Sequence, residues 1–168
     1  MDKIKNAVFN TGPFIHLKEI NCLKLLNLFE KIIISNEVFE EYDSETKNEI
    51  KKHKNIFIIN LNSKTKDLSK YLIEQYNIHL GEATSIALSK QENIKLFFTD
   101  DLDAREIAKL SGIEVHGTLA IITRSLKENI IDKKETIKII KDLHENSSLY
   151  ITKDLINWIL EKINKYKQ

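Results

Sequence analysis

Short apolar runs and longer helical patterns take turns along this chain. Four runs are rich in β-branched and aromatic residues: Ala7-Val8-Phe9, Ile32-Ile33-Ile34, Ile56-Phe57-Ile58-Ile59 and Leu96-Phe97-Phe98. A weaker fifth is Ile113-Glu114-Val115. Their apolarity is continuous, not alternating, which predicts strands covered on both faces, as in a parallel sheet. Helical spacing predicts helices over 14–29, 38–50, 68–76, 83–89 and 104–110. Past Gly117 the pattern is helical to the end, with Thr118 and Thr152 as expected N-caps. The alternation predicts the α/β class: a three-layer α/β/α sandwich around a parallel sheet of about five strands. Residues 1–168 read as a single domain, with a core over 1–124 and a helical C-terminal extension over 125–168. In that extension Ile137, Ile140, Leu143, Leu155, Ile159 and Ile163 are spaced to pack on a sheet face or a partner. Trp158 is expected to be covered with them.

The only proline, Pro13, follows Gly12 in "AVFNTGPF", where an apolar run stops and helical spacing begins. Proline is preset for a first helical turn, so this is a strand-to-helix turn. Open α/β sheets bind ligands outside the carboxyl ends of their strands. The residues expected there are Asn10 and Thr11 after the first run, and Glu40 and Glu41 after the second. Thr99-Asp100-Asp101 and Asp103 follow the fourth, and His116-Gly117-Thr118 the fifth. Gly81-Glu82 opens a further helix. Singly, these carboxylates have ordinary roles: Glu82 and Asp103 suit first helical turns, and Asp100 or Asp101 suits a cap. Converging carboxylates repel one another unless a cation neutralises them. An all-oxygen set suits Mg²⁺ or Mn²⁺, which can activate water and stabilise charge on a phosphoryl oxygen.

Composition narrows the chemistry. Charged residues are 30% of the chain, yet the net charge is only +1, so no global basic field marks a nucleic-acid binder. The densest positive run, from Lys47, Lys51, Lys52 and Lys54 to Lys64, Lys66 and Lys70, reads as a solvated helix face. Arg105 and Arg124 are the only arginines. The lone Cys22 lies among leucines and reads as a buried, inert thiol of a reducing cytoplasm. The five histidines have no cysteine partners at zinc spacing. No apolar run reaches the roughly 18 residues of a membrane span, and Met1-Asp2-Lys3 does not open a signal peptide. A cytoplasmic protein with no membrane association is expected.

The ordered set "FNTGPFIHL", "ISNEVFEEY", "LGEATSIALS" and "FFTDDLDAREIAKLSGIEVHGTLAII" resembles the PIN-domain superfamily, and within it the DUF3368 group of prokaryotic PIN-like proteins. The resemblance covers nearly the whole chain and is most specific over 81–122. It implies a metal-dependent ribonuclease fold, often the toxin of a toxin–antitoxin pair. The family's acidic positions fall on Glu41, Glu82 and Asp101, with Asp103 as an auxiliary acid and Asp100 beside them. The strand-one position, often aspartate in the family, is Asn10 here, as in some DUF3368 relatives. The implied metal set is therefore Asn10, Glu41, Glu82 and Asp101 around Mg²⁺ or Mn²⁺. Thr11, Thr99 and Thr118 would position phosphate or water. RNA is the implied substrate, and an antitoxin or a second copy in a homodimer are the implied protein partners. The alternative is a catalytically weak or inactive PIN-like module that binds RNA or a protein. A phosphoacceptor receiver domain shares the α/β pattern, but "INLNSK" offers no aspartate after the third strand.

Overall fold

The computed structural model describes residues 4–166; Met1, Asp2 and Lys3 and the last two positions of the extension lie outside the described residues. Five strands form one parallel sheet: β1 (Ile4–Phe9), β2 (Phe29–Ser35), β3 (Ile56–Ile59), β4 (Leu96–Phe98) and β5 (Glu114–His116). Their order across the sheet is β3-β2-β1-β4-β5. The chain therefore runs outward from β1 to one edge, then returns to pair β4 on the other side of β1. That reversal is a topological switch point, where an open α/β sheet forms its ligand crevice.

Side chains alternate across the sheet, and both faces are apolar, which explains the unbroken apolar runs. On one face Ala7, Phe9, Ile32, Ile34 and Phe98 pack against helices α1 (Thr11–Glu19), α7 (Thr118–Lys127), α8 (Lys133–Asn146) and α9 (Lys153–Lys165). On the other, Val8, Ile33 and Phe97 pack against α4 (Ser63–Tyr76), α5 (Leu80–Gln91) and α6 (Leu102–Leu110). Phe9, Phe29 and Phe98 lock the first face, with ring centroids 5.0–5.1 Å apart. β3 is the exception: as an edge strand it leaves Phe57 and Ile58 exposed, and Lys31 lies over the Phe57 ring.

Local chemistry divides two of the expected helices. The stretch 14–29 splits into α1, a 3-10 turn over Leu23–Leu28, and the start of β2 at Phe29. Asn21 takes a left-handed conformation, φ 55°, in the break, as asparagine tolerates best after glycine. The stretch 38–50 splits into α2 (Asn36–Glu41) and α3 (Ser44–Lys52), because Asp43 turns to cap α3 through Thr46 N–H. Thr152 caps α9 as expected, its hydroxyl accepting from Leu155 N–H. Thr118 does not cap α7. Gly117 holds the N-cap position, and the Thr118 hydroxyl is engaged elsewhere.

The C-terminal helix α9 packs on the domain with Ile159 and Ile163 inward as expected, but Leu155, expected with them, is 42% exposed. Ile156, Ile159 and Ile163 are buried while Trp158 is 57% exposed, with Lys162 over its ring. Among the described residues no helix is long and apolar enough to cross a membrane. The stability consequence is a contrast between neighbours. Ile159→Ala should cost about 2–3 kcal/mol, the low part of the range for emptying a core site. Trp158→Ala should cost under about 1 kcal/mol, the scale of an exposed cation–π contact. Urea unfolding of both variants checks the pair, and equal losses would show that α9 uses its Trp158 face.

Candidate active site

Two strand ends meet at the switch point. The register Val8–Phe97 and Phe9–Phe98 brings Asn10 beside Thr99. Asn10 N–H donates to the Phe98 carbonyl at 3.0 Å, and Asn10 Nδ2 donates to Thr99 Oγ1 at 3.4 Å. Thr99 Oγ1 also accepts the backbone N–H of Asp101 at 3.2 Å. The cleft above these ends has a volume of about 1040 Å³. Asn10, Thr11, Glu41, Glu82, Thr99, Asp100, Asp101 and Asp103 line its polar side. Apolar residues of the α8–α9 connection and α9, Leu149, Tyr150 and Leu155 among them, line the other.

Each acid reaches the cleft from a different element. Glu41, at the end of α2, accepts the Thr11 hydroxyl through Oε2. Its carboxylate rests against Gly81, where a Cβ would collide with it; the absent side chain is what admits the acid there. Glu40, its neighbour, pairs with Lys47 at 2.6 Å instead and is not part of the cleft wall. Glu82 sits in the first turn of α5, and its Oε2 is buried with no hydrogen-bond partner. Burial, and then the charge of Asp101, raise its pKa. Asp101 caps α6, Oδ1 accepting from Ala104 N–H at 2.7 Å. Asp103 is exposed in the same first turn.

Asp100 differs from the others. Its buried carboxylate accepts Thr118 N–H at 2.8 Å and Arg105 Nη2 at 3.4 Å on Oδ1. On Oδ2 it accepts His16 Nδ1 at 2.8 Å and the Thr118 hydroxyl at 2.5 Å. Burial alone would raise its pKa, but the bonds from His16 and Thr118 outweigh that and hold it low. Four donors occupy the four lone-pair directions of a carboxylate, so Asp100 supports the site from behind.

Thr99 and Thr118 are placed under the site, and Thr11 is half-buried in its wall. Thr99 and Thr118 are fully buried and spend their hydroxyls on Asn10, Asp101 and Asp100, and Thr11 spends its own on Glu41. Cys22 is buried, and burial raises its thiol pKa. Of the lysine run, Lys52 pairs with Glu49 and Lys70 lies near Asp67, the pattern of a solvated helix face.

A family model described as "DUF3368: PIN domain" matches residues 6–165. The chain belongs to the PIN-domain family. No curated protein matches it significantly. PIN domains are nucleases in general and typically use divalent metal ions. Among the described residues of this PIN domain, no three His, Cys, Asp or Glu side chains stand close enough together to hold a metal ion as they are. Mg²⁺ commonly binds through only one or two carboxylates and completes its shell with water. The orphaned, desolvated Glu82 oxygen beside the Asp101 charge fits such an ion.

Two cleft residues escape a reading by strand ends: His16 and Arg105. Both lie inside helices, and only the helical position of Arg105 four residues after Asp101 hints at its aim. Arg105 donates from Nε to the Thr99 carbonyl at 2.9 Å and from Nη2 to Asp100. Its remaining nitrogen has no hydrogen-bond partner among the described residues.

The raised Glu82 pKa has a signed consequence. The folded state holds that proton more tightly than the unfolded state, so stability falls as pH rises from the unfolded carboxylate range through the raised value. Glu82→Gln should therefore stabilise the metal-free protein at pH 7, by about 2 °C after discounting for solvent screening of a half-buried group. The gain should vanish below about pH 4. Melting curves in EDTA across pH 4–7.5 measure it; no gain at pH 7 would mean that Glu82 is already neutralised by other means.

Proposed function

We propose that this PIN domain is a metal-dependent endoribonuclease that hydrolyses RNA phosphodiesters in the cleft at the β1–β4 switch point. The observation that carries the proposal is the buried, unpartnered Glu82 oxygen beside Asp101. Burying a charge without a partner is costly, and a bound cation removes the cost. Glu82, Asp101 and Glu41, with the Asn10 carbonyl, would hold Mg²⁺ or Mn²⁺. When bound, such an ion lowers the pKa of a coordinated water and neutralises charge on a phosphoryl oxygen.

The chain's own residues supply the rest. Arg105 is fixed along one edge by Thr99 and Asp100, which leaves the other edge to grip a phosphate oxygen. Thr11 orients the Glu41 carboxylate, and Asp103 adds negative charge at the rim that favours cation entry. Resemblance to toxin-type members extends the proposal to a cytoplasmic toxin with a protein antitoxin as partner.

A second reading, a PIN module that binds RNA or protein without cleaving it, is favoured by Asn10, which brings no charge where relatives often have aspartate. Calorimetry separates the two. Asp101→Asn should abolish Mn²⁺ binding and cleavage of defined RNAs while leaving the fold intact. Mn²⁺ should raise the melting temperature of the wild type and not of this variant. Unchanged Mn²⁺ affinity in the variant would remove Asp101 from the site and favour the second reading.

Asn10→Asp tests the same site from the opposite direction. The added charge should tighten Mn²⁺ binding by roughly five- to thirtyfold, about 1–2 kcal/mol. Without metal it adds repulsion beside Glu82 and Asp101, so the same variant should melt lower in EDTA near neutral pH. Equal affinity and equal metal-free stability would place Asn10 outside the ligand set.

A further inference from the structure

One cleft group has no part in metal holding or phosphate gripping. His16 lies on α1, and its ring lines the cleft with the side chain 12% exposed. Nδ1 donates to Asp100 Oδ2 at 2.8 Å. Because Asp100 is an ionised acceptor, Nδ1 must carry the hydrogen. Nε2 is then the ring's only uncommitted atom, and it has no hydrogen-bond partner among the described residues. Asp100 is itself immobilised by donors from α1, α6 and α7, so the ring has a fixed orientation. A merely structural histidine would need only the Nδ1 bond, whereas this residue also lines the cleft.

We propose that His16 Nε2 contacts the phosphodiester bound in the cleft and protonates the leaving ribose oxygen, with Asp100 as the residue that positions it. The inference rests on the nuclease reading. In the step, water oxygen bonds to phosphorus and the bond from phosphorus to the ribose oxygen breaks. The proton on Nε2 moves to that departing oxygen, the attacking water's proton leaves to solvent, and the imidazole recovers a proton from solvent. General acid catalysis of this kind contributes typically 10²–10⁴-fold. The charged and titratable groups around His16 are Asp100 on the β4–α6 connection and Arg105 on α6 behind it. Glu41, Glu82, Asp101, Asp103 and His116 share the cleft.

The informative variant is His16→Asn, whose side-chain amide can still donate to Asp100 but has nothing at the Nε2 position. It should keep the wild-type melting temperature within a few degrees and the wild-type Mn²⁺ affinity. Its single-turnover rate on a defined single-stranded RNA should fall about 10²–10⁴-fold. A second arm needs no turnover: binding of the same RNA in Ca²⁺, followed by fluorescence anisotropy. His16→Asn should bind it several-fold more weakly than the wild type. Wild-type cleavage with an unaffected His16→Asn rate would overturn the inference while leaving the nuclease reading intact. If the wild type cleaves nothing, the nuclease reading and the proton transfer fall together. Equal RNA affinity in the two proteins would then remove the phosphate contact as well.

Discussion

One buried carboxylate, Asp100, ties together the elements from which the cleft is made. Its oxygens accept from α1, α6 and the start of α7, and its backbone lies between Thr99 and Asp101 at the end of β4. Taking a carboxylate out of water is tolerable only when hydrogen bonds replace the water, and here four do. The result is a rigid floor. Asn10 and Thr99 are held side by side, Asp101 is free to cap α6 and face the cleft, and Arg105 and His16 are fixed on the two oxygens of Asp100. Gly117 belongs to this floor, since a Cβ there would strike both Asp100 and Arg105.

On that floor the domain accumulates like charge. Glu41 presses against Gly81, Glu82 is half-buried with an orphaned oxygen, and Asp101 lies near enough to raise the Glu82 pKa. Such an arrangement lowers the stability of the empty protein, and a bound cation would recover it. Asn10, at the end of the central strand, adds no charge there, and its Oδ1 accepts the Thr11 hydroxyl at 3.3 Å. A cluster that is costly without a ligand is a mark of function more than of folding.

Much of the fold could be read along the chain because both sheet faces are covered. Runs such as Ile32-Ile33-Ile34 must then be apolar throughout, and five such runs separated by helical patterns leave little choice of architecture. Boundaries were harder where apolar spacing continues through a change of structure. Leu25, Leu26 and Leu28 fit a helix as well as a 3-10 turn, and only the left-handed Asn21 and the turn it makes separate them from α1. Trp158 misleads for a different reason: hydrophobic size alone does not say which side of an amphipathic helix it joins. Strand ends and helix starts drew attention to Asn10, Glu41, Glu82, Asp100 and Asp101, and family resemblance narrowed the metal set to Asn10, Glu41, Glu82 and Asp101. His16 carries no such signal and Arg105 only its place four residues after Asp101, because their roles come from meeting Asp100 across 84 and 5 residues of chain. Spatial convergence of that kind leaves no periodicity behind.

We propose that a divalent cation is held at the switch point between β1 and β4. Anomalous X-ray scattering from crystals grown with Mn²⁺ tests it most directly, since the peak marks the ion irrespective of activity. The expected result is a peak coordinated by Glu82 and Asp101, with Asn10 or Glu41 completing the protein ligands, and its loss in Asp101→Asn. Mn²⁺ bound only at other carboxylates, or a cleft without a peak at saturating metal, would contradict it.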